Sequence, residues 1–308
     1  MDVPLPLSGF DVSEIVRQKA LLRDGGDRWL RSLPQLVSEL EADWAIVVGA
    51  ALSGGSESVV LAATTAEGVA AIVKLELPGA ESFAARTRVL DAADGVGYAR
   101  LLRSDEVRRV LLLERLGPPL SESGLPIAAQ IEILCRMLQD AWQVQIPVAL
   151  ETGAAKARRL AAFIETTWEE LGRPCSERAV EQALRFAGSR ASAFDPQDSV
   201  VVHGDAHAAN ALRAAHEYKF VDLESFFAER AYDLGISMRD WSDELLAGDA
   251  LQLGRERCAL LARLADVAPE PIWEWGFLER VSTGLLGLQV GAEWIGVPTL
   301  AVADLWAG

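Results

Sequence analysis

Cysteine is scarce in this sequence. There are three in 308 residues, Cys135, Cys175 and Cys258, far apart and with no Cys-x-x-Cys pair. That usage argues for a reducing compartment and against a zinc site. Positive charge is also scarce: Lys plus Arg number 29 against 45 Asp plus Glu, a net charge of −16. Such a surface repels nucleic acid and anionic lipid, which are discounted as partners. It would attract cationic small molecules, although acidity also serves plain solubility and charge alone does not separate the two. No stretch approaches the ~18 uninterrupted apolar residues of a membrane span. Met1 to Phe10 has neither a basic region nor an apolar run of signal length, so a cytoplasmic protein is the expectation. There is no internal repeat, no low-complexity tract, and no signal that fixes an oligomeric state. Half of the residues are apolar, ample for a core, and the chain is long for a single one. Two lobes sharing a cleft are therefore expected.

The most informative stretch is Val202-His203-Gly204-Asp205-Ala206-His207-Ala208-Ala209-Asn210. It follows Ser199-Val200-Val201-Val202, an apolar β-branched run that reads as a buried strand. A second run, Tyr218-Lys219-Phe220-Val221, delivers Asp222, with Glu224 just beyond. The order is strand, polar loop, short hairpin, strand, acid. This spacing matches what phosphoryl transfer asks of a protein. One carboxylate, Asp205, accepts the proton of the attacking hydroxyl, and Asn210 and Asp222 hold magnesium on a nucleoside triphosphate. A rival reading is a metal-dependent hydrolase with His203, Asp205 and His207 as ligands. It has no further histidine to draw on except His216, in a polar turn.

The pattern His-Gly-Asp-x-His-x-x-Asn followed by Asp-x-Glu resembles the aminoglycoside phosphotransferase family, in its streptomycin 6-phosphotransferase and hydroxyurea kinase-like branch. Two further blocks are similar to that branch: Arg28-Trp29-Leu30 to Val37, and Ile272 to Leu286 with Trp273-Glu274-Trp275. The resemblance implies an α+β protein-kinase-like fold with an antiparallel-sheet N-lobe (1–113), a hinge (114–118) and a helical C-lobe (119–308). It implies ATP and Mg²⁺ as cofactors and a small-molecule acceptor. It also gives His203 and Asp233 structural roles, as braces of the catalytic loop.

Along the chain, 13–41 reads as helix broken at Gly25-Gly26, with Pro34 suiting a helix start. Trp44–Leu52, Val59–Thr65, Val69–Leu77 and Val107–Leu113 read as strands. The loop Ser53-Gly54-Gly55-Ser56-Glu57-Ser58 can lay backbone N–H groups over phosphates. It is not a Walker A loop, and its signal (Gly54, Gly55, Ser56, Ser58) depends on the motif downstream. Lys74 sits among apolar neighbours; by resemblance it grips the α- and β-phosphates. The family glutamate that pairs with this lysine falls at Arg86, leaving Glu81 as the candidate. Backbone groups of Glu114 and Leu116 in the hinge would meet the adenine edge. Ile127–Val144, Ala154–Leu171, Ser176–Phe186, Ala250–Ala265 and Pro271–Val290 read as helices. Met238 to Glu244 gathers three acids and a tryptophan on one or two helical turns. Glu224, Asp240 and Asp243 are the candidate acceptor-binding acids, against the ordinary reading that charge runs are solvated.

The reading favoured is an ATP-dependent phosphotransferase acting on a hydroxyl of a small, cationic, sugar-like molecule such as an aminoglycoside, which is an antibiotic-resistance activity. The alternatives are a metabolic kinase of an amino sugar or other small alcohol, and a nucleotide-binding module without turnover.

Overall fold

The computed structural model of the protein describes residues 12–52, 58–79, 83–147, 150–215 and 217–308. Gly54, Gly55, Ser56, Glu81 and His216 lie outside the described residues. The chain divides into two compact units, Met1–Gly117 and Pro118–Gly308.

The first unit runs α1 (Glu14–Leu21), α2 (Gly26–Trp44), β1 (Ile46–Ala51), β2 (Ser58–Thr65), β3 (Ala70–Glu76), α3 (Phe83–Ala93), β4 (Leu101–Asp105) and β5 (Val110–Glu114). The five strands form one antiparallel sheet in the order β1-β2-β3-β5-β4. Strand alternation sorts its faces. Ala71, Val73 and Leu75 pair with Ala63, Leu61 and Val59, and with β5 through Leu112 and Val110. All of these join a buried core with Leu30, Leu33, Leu36, Val37 and Leu40 of α2 and Val16 and Ala20 of α1. The opposite face carries Ile72, Lys74 and Glu76, beside Ala62, Val60 and Ser58. Ser58 is thus a buried strand residue, not part of a loop.

Pro34 does not start a helix. It lies inside α2. A proline there costs roughly 3 kcal/mol, and burying several leucines at ~1.5–3 kcal/mol each outweighs it. Strand β1 begins at Ile46, because Ala45 takes a left-handed conformation and ends α2. Strand β4 was not anticipated. It is a polar edge strand, and its burial shows no clean alternation.

The second unit contains α4 (Ile127–Ala141), α5 (Gly153–Glu170), α6 (Glu177–Ala193), β6 (Ser199–Val202), β7 (Ala211–Arg213), β8 (Tyr218–Phe220), β9 (Phe226–Glu229), α7 (Ala231–Arg239), α8 (Ser242–Leu246), α9 (Ala250–Ala265), α10 (Pro269–Gln289) and α11 (Glu293–Ala307). Two antiparallel ladders, β6 with β9 and β7 with β8, frame the polar loop. Helix α10 is the hub, packing on α5, α6, α7, α9 and α11. The anticipated helical segment 238–244 is broken: α7 ends at Arg239, Asp240 is extended, and Trp241 is left-handed before α8. No helix among the described residues is long and apolar enough to cross a membrane.

The crossing of α7 and α10 fixes the site geometry. At Gly235 an added Cβ would lie 2.8 Å from Trp275 Cβ and 2.9 Å from the Gly276 nitrogen, so the helices touch backbone to backbone. Gly235→Ala should therefore destabilise the protein by about 1–3 kcal/mol, since neither neighbour can move aside. Gly188→Ala on α6, with nothing within 4 Å, should stabilise it by up to about 1 kcal/mol. Urea unfolding of the two variants checks this; shifts of the same sign would show the crossing is looser than described.

Candidate active site

The polar loop hangs from one buried carboxylate. Asp233, on α7, accepts the backbone N–H of His203 (2.9 Å, Oδ2), that of Gly204 (2.9 Å, Oδ1) and Trp142 Nε1–H (2.9 Å, Oδ2). Burial pushes the Asp233 carboxyl pKa up, and the three N–H donors work against it. Gly204 has φ +91°, and a Cβ there would sit 2.8 Å from Glu224 Cβ and 2.9 Å from the Phe226 ring. Only glycine allows this turn.

His203 is fully buried, and both ring nitrogens are engaged. Nε2 lies 2.9 Å from the Val221 carbonyl, and Nδ1 accepts the Asp205 N–H at 3.1 Å. The network assigns a neutral ring protonated at Nε2, and burial lowers its pKa. Neither nitrogen is available to a metal, which removes the hydrolase reading. Among the described residues no group of three or more His, Cys, Asp or Glu is placed to hold a metal ion.

Asp205 stands at the centre. Oδ1 accepts Arg239 Nη2–H at 2.7 Å; Oδ2 accepts Asn210 Nδ2–H at 3.1 Å and lies 3.3 Å from His207 Nε2. Burial on its own would raise the carboxyl pKa, but the Arg239 charge and the His207 hydrogen bond hold it well below the usual carboxylate range. His207 Nδ1 accepts the Ala209 N–H at 3.3 Å, so Nε2 carries the proton towards Asp205. Burial disfavours a charge on His207, yet the hydrogen bond and charge of Asp205 raise its pKa.

The β7–β8 hairpin closes the distance to Asp222. Ala211 pairs with Phe220, and the Val221 N–H donates to the Asn210 carbonyl at 2.9 Å. Asn210 and the residue before Asp222 are therefore neighbours in register. Asp222 and Ser225 both have positive φ, 59° and 62°, a conformation Asp tolerates better than most residues. Asn210 spends its amide nitrogen on Asp205 O and Oδ2. Its amide oxygen and the Asp222 carboxylate are hard oxygen donors, the kind that suits magnesium.

Glu224 is half exposed and ion-paired at 2.7 Å with Lys156 of α5, which is buried. The Lys156 ammonium also lies over the rings of Phe226 (5.2 Å) and Tyr232 (5.6 Å). Asp240 lies 3.8 Å from Arg239, while Asp243 is exposed on α8 and Glu244 pairs with Arg257. Lys156, Arg239 and Glu279 were not singled out from the sequence. A signal existed for two of them: Lys156 and Glu279 are charges on otherwise apolar helix faces, where a partner is required.

In the first unit, Arg86 donates to Glu76, two residues after Lys74 on the same face of β3, and Arg109 lies 3.6 Å from that carboxylate. The strand-to-helix tie here thus includes an acid on the strand and a base on the helix. The Glu114 N–H donates to Arg100 O at 3.0 Å, so it is committed within the sheet and cannot meet adenine. Its carbonyl remains a candidate.

Fold and loop together define a phosphotransferase of the protein-kinase-like class. Choline kinase LicA from Streptococcus pneumoniae superposes with a TM-score of 0.63 at 14% identity, over 89% of this chain and 98% of that one. Residues 43–291 match the model of the Aminoglycoside/hydroxyurea antibiotic resistance kinase family, and the chain belongs to that family. It is 29% identical over 291 residues to a streptomycin 6-kinase of Streptomyces glaucescens, covering 92% of each chain. It is 28% identical to a hydroxyurea phosphotransferase of Kitasatospora aureofaciens over 263 residues, 81% of this chain and 75% of that one.

Two outcomes follow from these contacts. Glu76→Ala removes a carboxylate, only 4% exposed, that Arg86 and Arg109 share. It should cost about 3–5 kcal/mol in urea unfolding, as breaking one side of a buried pair does; a change below about 1 kcal/mol would mean that the pair is solvated. The second concerns pH. His207, with its raised pKa, contributes stability that is fully present below the unfolded value near 6.5 and lost as pH rises through the folded value. His203, with its lowered pKa, costs stability as pH falls below about 6.5, because only the unfolded chain takes the proton. The two oppose each other. His207→Gln should therefore lack the gain in stability that wild type shows as pH falls from about 8 to about 6.5, a difference in slope of up to about 1.4 kcal/mol per pH unit. Equal slopes in the two proteins would refute it.

Proposed function

We propose that this protein transfers the γ-phosphoryl group of ATP to a hydroxyl of an aminoglycoside, with streptomycin-like molecules as the acceptor class. The observation that carries the proposal is the Asp205 carboxylate held ionised in the loop, with Asn210 against it and Asp222 next in the hairpin register. The relatives named for streptomycin 6-kinase, aligned over nearly the whole chain, supply the acceptor class.

Asp205 is the proposed catalytic carboxylate, accepting the hydroxyl proton. Held below the usual carboxylate range, it is a weak base and acts mostly by orienting the hydroxyl. That suits a loose transition state, in which positioning and electrostatics do most of the catalysis. Asn210 and Asp222 would hold Mg²⁺ through their side-chain oxygens. When bound, the ion neutralises charge on the phosphate oxygens. Lys74 would hold the α- and β-phosphates. The Glu114 carbonyl and the Leu116 backbone would meet the adenine. Glu224, Asp240 and Asp243 would receive the cationic groups of the acceptor, with Lys156 fixing one oxygen of Glu224 and leaving the other for the ligand. The reaction is placed in the cytoplasm.

The test is ADP release coupled to a panel of streptomycin, other aminoglycosides, hydroxyurea and neutral sugars. Turnover of streptomycin is expected. Turnover of hydroxyurea alone would overturn the acceptor class, and a neutral sugar used as well as its amino analogue would favour the metabolic kinase instead. Asp205→Asn should lower kcat by ~10²–10⁴-fold and leave the thermal shift with magnesium-ATP nearly intact. Retained turnover with a lost shift would sink the role given to Asp205.

A further inference from the structure

Of the groups that the proposed reaction names, Arg239 meets Asp205 and Asp240, and it is built into the fold with unusual care. Its side chain is only 14% exposed. It donates to Asp205 Oδ1 at 2.7 Å and to Thr283 Oγ1 at 3.5 Å, and it lies 3.9 Å from Glu279 Oε2 and 3.8 Å from Asp240 Oδ1. Glu279 is itself buried and accepts the hydroxyl of fully buried Tyr232. Thr283 and Glu279 both belong to α10. The residue after Arg239 is held as firmly: the Asp240 carbonyl accepts from Arg257 Nη1 at 2.7 Å and Arg280 Nη2 at 3.3 Å. The end of α7 is thus tied on both sides, and three carboxylates surround one guanidinium.

A buried arginine with three acids around it is an expensive arrangement for stability alone, since apolar replacements of such clusters are often neutral or better. What it delivers is geometry. A guanidinium is a rigid planar donor set, and one of its nitrogens fixes one oxygen of Asp205. The other oxygen faces Asn210 and His207. We propose that Arg239 is a positioning residue of the transfer reaction: held by Glu279 and Tyr232, it locks the Asp205 carboxylate in the one orientation that meets the acceptor hydroxyl. This rests on the reading of Asp205 as the catalytic carboxylate.

The test compares Arg239→Gln, Arg239→Lys, Asp205→Asn and the double variant Asp205→Asn/Arg239→Gln, with streptomycin and ATP. Arg239→Gln should lower kcat by about 100-fold, the scale of a misplaced catalytic group, with the KM for ATP changed less than about twofold. Arg239→Lys, which keeps the charge but not the planar donor set, should recover less than about tenfold of that loss. In the Asp205→Asn background, Arg239→Gln should add nothing, because Arg239 acts through Asp205. Because removing the arginine leaves acids uncompensated, a second variant guards against misfolding: Arg239→Gln/Glu279→Gln removes one of those acids and should show the same kcat loss. Wild-type kcat in a folded glutamine variant, full recovery with lysine, or a full additive loss in the double variant would each overturn the proposal. Turnover within about tenfold of wild type in Asp205→Asn would instead overturn the reading of Asp205, so the two failures are told apart.

Discussion

A single buried carboxylate holds the His203–Asn210 loop in place. Burying an ion costs several kcal/mol even after relaxation, and Asp233 offsets that cost with three N–H donors, from His203, Gly204 and Trp142. Those donors come from the loop and from the end of α4, while the carboxylate comes from α7. One interaction therefore joins three parts of the second unit. The loop that follows has little freedom left. Gly204 must take φ +91°, His203 is pinned between the Val221 carbonyl and the Asp205 N–H, and Asp205 emerges where the strand-end geometry puts it.

The same helix that supplies Asp233 supplies Arg239, almost two turns later. The contact between α7 and α10 at Gly235 and Gly276 sets the approach of the two helices, and Glu279 lies less than one turn beyond Gly276. Hence Arg239 meets Glu279 at 3.9 Å while reaching Asp205 on its other side. The C-terminal end of α7, where helix dipoles concentrate negative charge, receives Arg257 and Arg280. Trp241 is left-handed there and stacks under Arg257, 5.2 Å from its ring centroid. Cation placement thus does two jobs in this region, capping a helix and orienting a carboxylate.

In the first unit an ion pair ties helix α3 to strand β3. Here Glu76 on the strand and Arg86 on the helix make such a tie, with Arg109 closing in from the start of β5. Arg86 stands where the family resemblance implies an acid, and nothing local in the sequence names its partner. Glu76 ends strand β3, and only the β3–α3 packing makes it a buried partner.

Much of the fold and the core of the site could be read from local patterns. The His-Gly-Asp-x-His-x-x-Asn loop, the acid after the second short strand, the period-2 strands around Lys74 and the long amphipathic helices all follow from spacing within a few turns of chain. Such spacing is intrinsic to the order of residues and survives any packing. What could not be read was short, polar or dependent on a distant partner. Strand β4 is a charged edge, β9 is four residues long, and α11 carries Pro298 inside it. The acids of 240–244 were divided by a backbone reversal at Trp241 that a bulky residue does not announce. Above all, the partners of the charges were decided by tertiary structure: Asp205 with Arg239, Glu224 with Lys156, Tyr232 with Glu279. These pairs lie 34, 68 and 47 residues apart. An ion pair forms where helices cross closely enough to exclude water. That distance is set by which residues are small at the crossing, and no run of neighbours in sequence encodes it.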